Sequence, residues 1–174
     1  MRFVGRMLAT LALTSAASLG AQSPAVVYRL DVQGTIENGL APYIARGVRE
    51  ANTRGAAAIY LDIDTPGGRI DAAQRIADAI RGSKIPVYAF VNPRAYSAGA
   101  LISLATNGIY MRDGAVLGAA TPVDGEGTKL PEKYVSAMRA EFRALAEERG
   151  LDTRIAEAMV DENLGVPGLA EPGK

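Results

Sequence analysis

The strongest constraint in this chain of 174 residues is a regular change of period. Short β-branched runs alternate with apolar stripes at helical spacing. "AVVYRLDV" (25–32) reads as a strand, and Leu40, Tyr43, Ile44, Val48 and Ala51 then share one face of a helix that Gly55 closes. "AAIYLDI" (57–63) is a second strand, followed by a stripe of Ile70, Ala73, Ile76, Ala77 and Ile80 that ends at Gly82. "IPVYAFV" (85–91) is a third, with Pro86 at its edge. The spacing predicts a helix from Ala98 to Asn107, capped by Gly108, and a short fourth strand, "IYM" (109–111), before the turn "RDG". Strands returned by helices of this length imply βαβ units and a mostly parallel sheet, an α/β fold. A longer amphipathic helix follows over 131–150, with Tyr134, Met138, Phe142 and Leu145 on its stripe. The connection before it, "TPVDGEGTKL" (121–130), is polar and glycine-containing and is expected to be mobile.

The length fits one domain with a single substantial core. Its N-terminus is a different kind of sequence. Arg2 and Arg6 precede an apolar run from Met7 to about Leu19, and small residues follow. That is the three-part pattern of a secretory signal peptide, assigned to 1–21, which leaves 22–174 as the exported domain. A retained membrane anchor is the alternative, although the run is short for a spanning helix.

Composition removes whole classes of chemistry. There is no histidine and no cysteine. Ser-His-Asp and Cys-His mechanisms are therefore excluded, as are disulfides and most zinc sites, and no cofactor is implied. Nineteen basic residues balance 19 acidic ones, which gives no electrostatic reason to expect nucleic acid as a partner.

In a parallel sheet, ligands sit beyond the carboxyl ends of the strands. Two loops lie at that end: "DTPGG" (64–68) and "NPRAYS" (92–97). In the first, Pro66 fixes one turn dihedral, and Gly67 and Gly68 allow positive φ ahead of a helix whose first amides lack acceptors. Such amides suit a developing oxyanion, and an ordinary strand-to-helix turn is the plainer reading. In the second, Ser97 opens a helix, with the amide of Ala98 next in line. It is either a helix cap or a nucleophile with an oxyanion donor built into its own backbone.

Taken in order, "DTPGG", "IPVYAFVNPRAYSAGALISLA", "GAVLGAATPV" and "PEKYVSAMRAEFRALAEERG" resemble the Clp protease/crotonase superfamily. Within it they are similar to the NfeD-type membrane-associated serine proteases, with the signal peptide peptidases as cousins. The resemblance runs from about Val26 to the C-terminus. It implies stacked βαβ units and peptide-bond hydrolysis by a Ser-Lys dyad. By position it implies Ser97 as nucleophile, Lys133 as general base, and an oxyanion hole of Gly68, Gly67 and the Ala98 amide.

The lysine also has support from the residues. Arginine cannot accept a proton, whereas a lysine can. The chain has only Lys84, Lys129, Lys133 and Lys174. Lys84 precedes the third strand, at the wrong end of the sheet, and Lys174 is terminal. Lys133 falls in the first turn of its helix, where the dipole disfavours an ammonium; a solvated surface lysine is the alternative.

The chain departs from the family in two places. "NPRAYS" replaces the longer, alanine-rich lead into the serine, so Arg94 and Tyr96 put specificity in question. The chain stops at "VPGLAEPGK", where relatives usually continue into a further strand and helix, then often membrane spans and a small β-barrel. The resemblance therefore implies a fragment or a short form, extracytoplasmic or periplasmic, and membrane-associated if the full protein carries spans. Implied partners are a peptide or protein substrate, including a hydrophobic segment of a membrane-associated protein, and a second copy in a homodimer or higher oligomer. Two other readings share the fold: a crotonase-like acyl-CoA enzyme, and a peptide-binding module without activity.

Overall fold

The computed structural model describes residues 25–168. The leader assigned to 1–21 and Lys174 lie outside them. The elements run β1 (Val27–Gln33), α1 (Leu40–Thr53), β2 (Ala58–Thr65), α2 (Ile70–Arg81), β3 (Val87–Tyr96), α3 (Ala98–Leu104), β4 (Gly108–Met111), β5 (Val116–Gly118), α4 (Glu132–Arg149) and α5 (Thr153–Ala158). The sheet is parallel, in the order β1-β2-β3-β4, and β5 pairs with the far end of β3.

Because each strand pairs with the one before it, right-handed crossovers place α1, α2 and α3 on the same face. The side-chain alternation agrees. Leu30 and Val32 of β1, Ile59, Leu61 and Ile63 of β2, and Val87, Ala89 and Val91 of β3 are buried beneath the helices. Ile44 and Val48 of α1, and Ile76 and Ile80 of α2, close that layer from above. Fully burying each such side chain contributes about 1.5–3 kcal/mol. On the opposite face Tyr60, Tyr88 and Phe90 are half-buried, and Tyr110 packs edge-on against Tyr88 with ring centroids 5.9 Å apart.

The differences from the sequence reading have local causes. β3 does not stop at Val91 but continues through a cis Asn92–Pro93 bond to Tyr96, because Thr65 of β2 and all of β5 pair with its last residues. The "NPRAY" loop is therefore strand. α3 ends at Leu104, three residues early, because the Asn107 amide bonds Val87 O and its side chain bonds the Val87 amide. In α4, Tyr134 is 53% exposed, and Val135, fully buried, takes its place on the stripe with Met138, Phe142 and Leu145. The 121–130 connection is a hairpin turn. Asp124 Oδ1 accepts from the amides of Glu126 and Thr128, and Leu130 N donates to Pro122 O. β5 and α5 have no counterpart in the sequence reading.

Candidate active site

Everything at the site begins at the carboxyl ends of β2 and β3, which stand side by side. β2 ends in Thr65, which is fully buried. After Pro66, Gly67 and Gly68 take φ of 104° and 152°. A Cβ on Gly67 would stand 2.6 Å from the Ser97 Cβ, and one on Gly68 would collide with the Ile36 backbone. Glycine is required at both positions by space as well as by torsion. The loop is tied to the segment after β1: Ile36 N donates to Gly67 O at 2.8 Å, and Arg69 N donates to Ile36 O at 2.8 Å.

β3 delivers Ser97 into α3. Its φ and ψ are 52° and −116°, a strained conformation for a residue with a side chain, and its hydroxyl makes no capping hydrogen bond. The cap reading of Ser97 thus fails on geometry. The Ser97 amide is taken by Gly118 O at 2.8 Å. A turn through Gly118 and Ala119, the latter at φ 50°, supports it from behind. The next residues are small for a reason, since the space a Cβ on Gly99 would need is filled by the Thr65 methyl.

Among the described residues the amides of Gly68 and Ala98 have no acceptor. Gly67 differs from its sequence assignment. Its amide donates to Thr65 Oγ1 at 3.0 Å and is not available to a ligand. Its part is to bring the loop against Ser97.

Ser97, Ala98 and Gly68 open onto a small cleft. Its remaining wall is apolar and includes Ile70, Leu101, Val123, Met138 and Phe142, with no carboxylate. Two of these side chains belong to α4, whose ties to α2 are Gln74 Nε2 donating to Glu141 at 2.9 Å and Arg81 to Glu148 at 3.0 Å. Behind the cleft, Ala120 N donates to Met159 O and Thr121 Oγ1 to Val160 O. Arg139 of α4 pairs with Asp161, which is 6% exposed. The Asp161 carboxyl is held below the usual carboxylate range, first by the Asn163 backbone amide and also by Arg139. The sequence reading missed this C-terminal clamp. Asp152, which caps α5 by accepting from Arg154 N, was its one legible signal.

Lys133 is not brought into the cleft. It is exposed in the first turn of α4, outside the cleft wall and without an ion pair among the described residues. Lys129 lies in a salt bridge to Glu162 at 3.1 Å, and that hydrogen bond raises its pKa, the opposite of what a base requires. Lys84 sits before β3, at the other end of the sheet.

Residues 26–174 match the family described as NfeD1b, N-terminal domain. The chain belongs to this family. It is 40% identical over 146 residues to the membrane protein NfeD1b of Bacillus subtilis, covering 84% of this chain and 33% of that one. It is 34% identical over 149 residues to the membrane-bound protease PH1510 of Pyrococcus horikoshii, covering 81% and 34%. The NfeD1b-type domain thus spans about a third of the length of these curated relatives. A serine-to-alanine variant of the 1510-N membrane-bound stomatin-specific protease superposes with a TM-score of 0.76 at 33% identity, covering 82% of this chain and 72% of that one. A lysine-to-alanine variant of it, in complex with a substrate peptide, gives 0.75 at 33% identity, covering 80% and 68%. ClpP1 from Listeria monocytogenes, at 21% identity and a TM-score of 0.62 over 76% of this chain and 78% of its own, shares the fold. The Clp protease-like α/β architecture implied by the sequence is the one observed.

Proposed function

We propose that this domain is a serine endopeptidase of the Ser-Lys type that cleaves beside apolar residues. One observation carries the reading: a strained, uncapped Ser97 faces an apolar cleft between two acceptor-free amides, those of Gly68 and Ala98. Ser97 Oγ attacks the scissile carbonyl, whose oxygen develops negative charge between those amides. The hydroxyl proton passes to a neutral amine, which returns it to the leaving nitrogen. Water then hydrolyses the acyl group from Ser97 with the same amine as base.

Lys133 is our assignment for that amine. Arginine cannot serve, Lys129 is committed to Glu162, and Lys84 stands at the far end of the sheet. The relative solved with a substrate peptide is also a lysine variant, which supports a lysine in this role. Exposed as it is, Lys133 reaches Ser97 only if the first turn of α4 and the 121–130 hairpin close over a bound peptide. That requirement favours a second reading, a peptide-binding module without turnover. An acyl-CoA enzyme is disfavoured because no carboxylate lines the cleft to act as its acid or base.

The membrane relatives support action near a membrane, and the apolar cleft is our ground for assigning an apolar segment as substrate. No helix among the described residues is long and apolar enough to cross one. We assign export to the N-terminal leader and a homo-oligomer as the working form. The test is labelling of Ser97 by a fluorophosphonate, together with cleavage of peptides bearing Leu or Phe before the scissile bond. Labelling with turnover supports the peptidase. Peptide binding without either supports the module.

A further inference from the structure

We propose that Thr65 is the positioning residue of the oxyanion hole. Its buried hydroxyl removes the Gly67 amide from competition and leaves the Gly68 amide as the donor beside Ser97. The inference rests on the peptidase reading of the cleft.

The hydroxyl's proton can be placed from its partners. Thr65 Oγ1 lies 2.6 Å from Gly34 O and 3.4 Å from Gly67 O, which can only accept, and 3.0 Å from Gly67 N, which can only donate. The single hydroxyl proton goes to the much nearer carbonyl, so the hydroxyl donates to Gly34 and accepts from the Gly67 amide. The adjoining peptide plane is fixed from the other side. Gly67 O accepts from Ile36 N, and because the plane is rigid the Gly68 N–H must point the opposite way. Two glycines at positive φ would otherwise leave this loop free to rotate. The same side chain also reaches the nucleophile's helix, since its methyl fills the space beside Gly99. Thr65 therefore fixes the Gly68 half of the hole through its hydroxyl and only packs against the helix of the other half, and no substrate atom need touch it.

The experiment compares Thr65→Val, which keeps the shape and deletes the hydroxyl, with Thr65→Ser, which keeps the hydroxyl. Thr65→Val is expected to lower kcat by roughly 10²-fold with KM within about 3-fold, and Thr65→Ser to stay within about 5-fold of the parent. A peptide aldehyde bonds Ser97 Oγ to its carbonyl carbon and places the resulting oxyanion in the hole. It should bind Thr65→Val more weakly by a factor similar to the loss in kcat. Substrate-peptide affinity, read in a Ser97→Ala background, should not change. Independently of activity, the Gly67 amide should exchange with solvent at least about 10²-fold more slowly than the Gly68 amide, and Thr65→Val should erase that gap.

A folded Thr65→Val enzyme at the parental kcat would overturn the inference. So would a Thr65→Ser enzyme as slow as Thr65→Val, or a Gly67 amide that exchanges as fast as Gly68 in the parent. A parent that neither labels nor cleaves overturns the peptidase reading instead, and the exchange rates then decide the Thr65 geometry by themselves.

Discussion

Ser97 has its backbone amide bonded and its loop neighbours tied in place, whereas Lys133 is exposed in the first turn of α4, ahead of the polar ties that hold that helix. Ser97 sits where β2, β3 and β5 meet, its amide bonded to Gly118 and the glycine loop bonded to Thr65 and Ile36. Lys133 stands on the exposed side of α4, past a hairpin closed by Asp124 and tied outward from Thr121 to Val160 and from Lys129 to Glu162. The loop that carries Ser97 is thus tied in place by backbone bonds, and Lys133 is exposed on its helix. On the proposed Ser-Lys reading, the strain stays at the end of the sheet and bound substrate completes the site.

The largest expected effect is Ser97→Ala, which should abolish labelling and lower turnover by roughly 10⁴-fold or more with no loss of melting temperature. Ser103, buried and bonded to Gly99 O, and Ser136, bonded to Lys133 O, serve as controls. On the other side of the cleft, Lys133→Ala and Lys133→Arg should each cost roughly 10²–10⁴-fold in turnover. Lys129→Ala should cost little, since it removes only a surface pair. A dead Lys129→Ala enzyme would reverse the two lysines' roles.

Next comes Gly67→Ala. It forces a Cβ against Ser97 and an unfavourable φ, so roughly 10²–10³-fold in kcat and about 1–3 kcal/mol in stability should be lost together. Unchanged kinetics would show that the loop is not rigid after all, and the contrast between the two halves would go with it.

The smallest effect tests the clamp that holds α4. The Asp161 carboxyl is depressed in the folded state, so it binds protons less readily there than in the unfolded chain. Its stabilisation is complete above the unfolded value of about 3.9 and is lost as pH falls through the lower folded value. Melting followed from about pH 5 down to about pH 3 should fall less steeply in Asp161→Asn than in the parent. Parallel curves would remove Asp161 from the account.

How much of this was legible depended on whether a residue answers to its neighbours in sequence. α1 and α2 follow their stripes because each buries that stripe on the strands beside it. The tail of β3 did not follow, because its partners Thr65 and Val116 to Gly118 are distant in sequence and outweigh Pro93. Ser97 and Gly68 stand at the strand-to-helix junctions where the sequence puts them, and their roles came from the resemblance. That Gly67 turns its amide inward could not be read there, since only Thr65 and Ile36, folded against it, decide the direction. Tyr134 was misplaced by a single position, where Val135 answers better to the core.

The measurement that bears most directly on the contrast between a prebuilt nucleophile and a movable base is the rate of fluorophosphonate labelling against pH. It should be run on the parent, Lys133→Ala and Lys133→Arg, with Ser97→Ala as the blank. The parent should label at Ser97 at a rate that climbs with pH, because the neutral amine is the active form. Both Lys133 variants should label at least about 10²-fold more slowly and without that rise. A Lys133→Arg protein that labels at the parental rate, with the parental pH profile, would contradict the account.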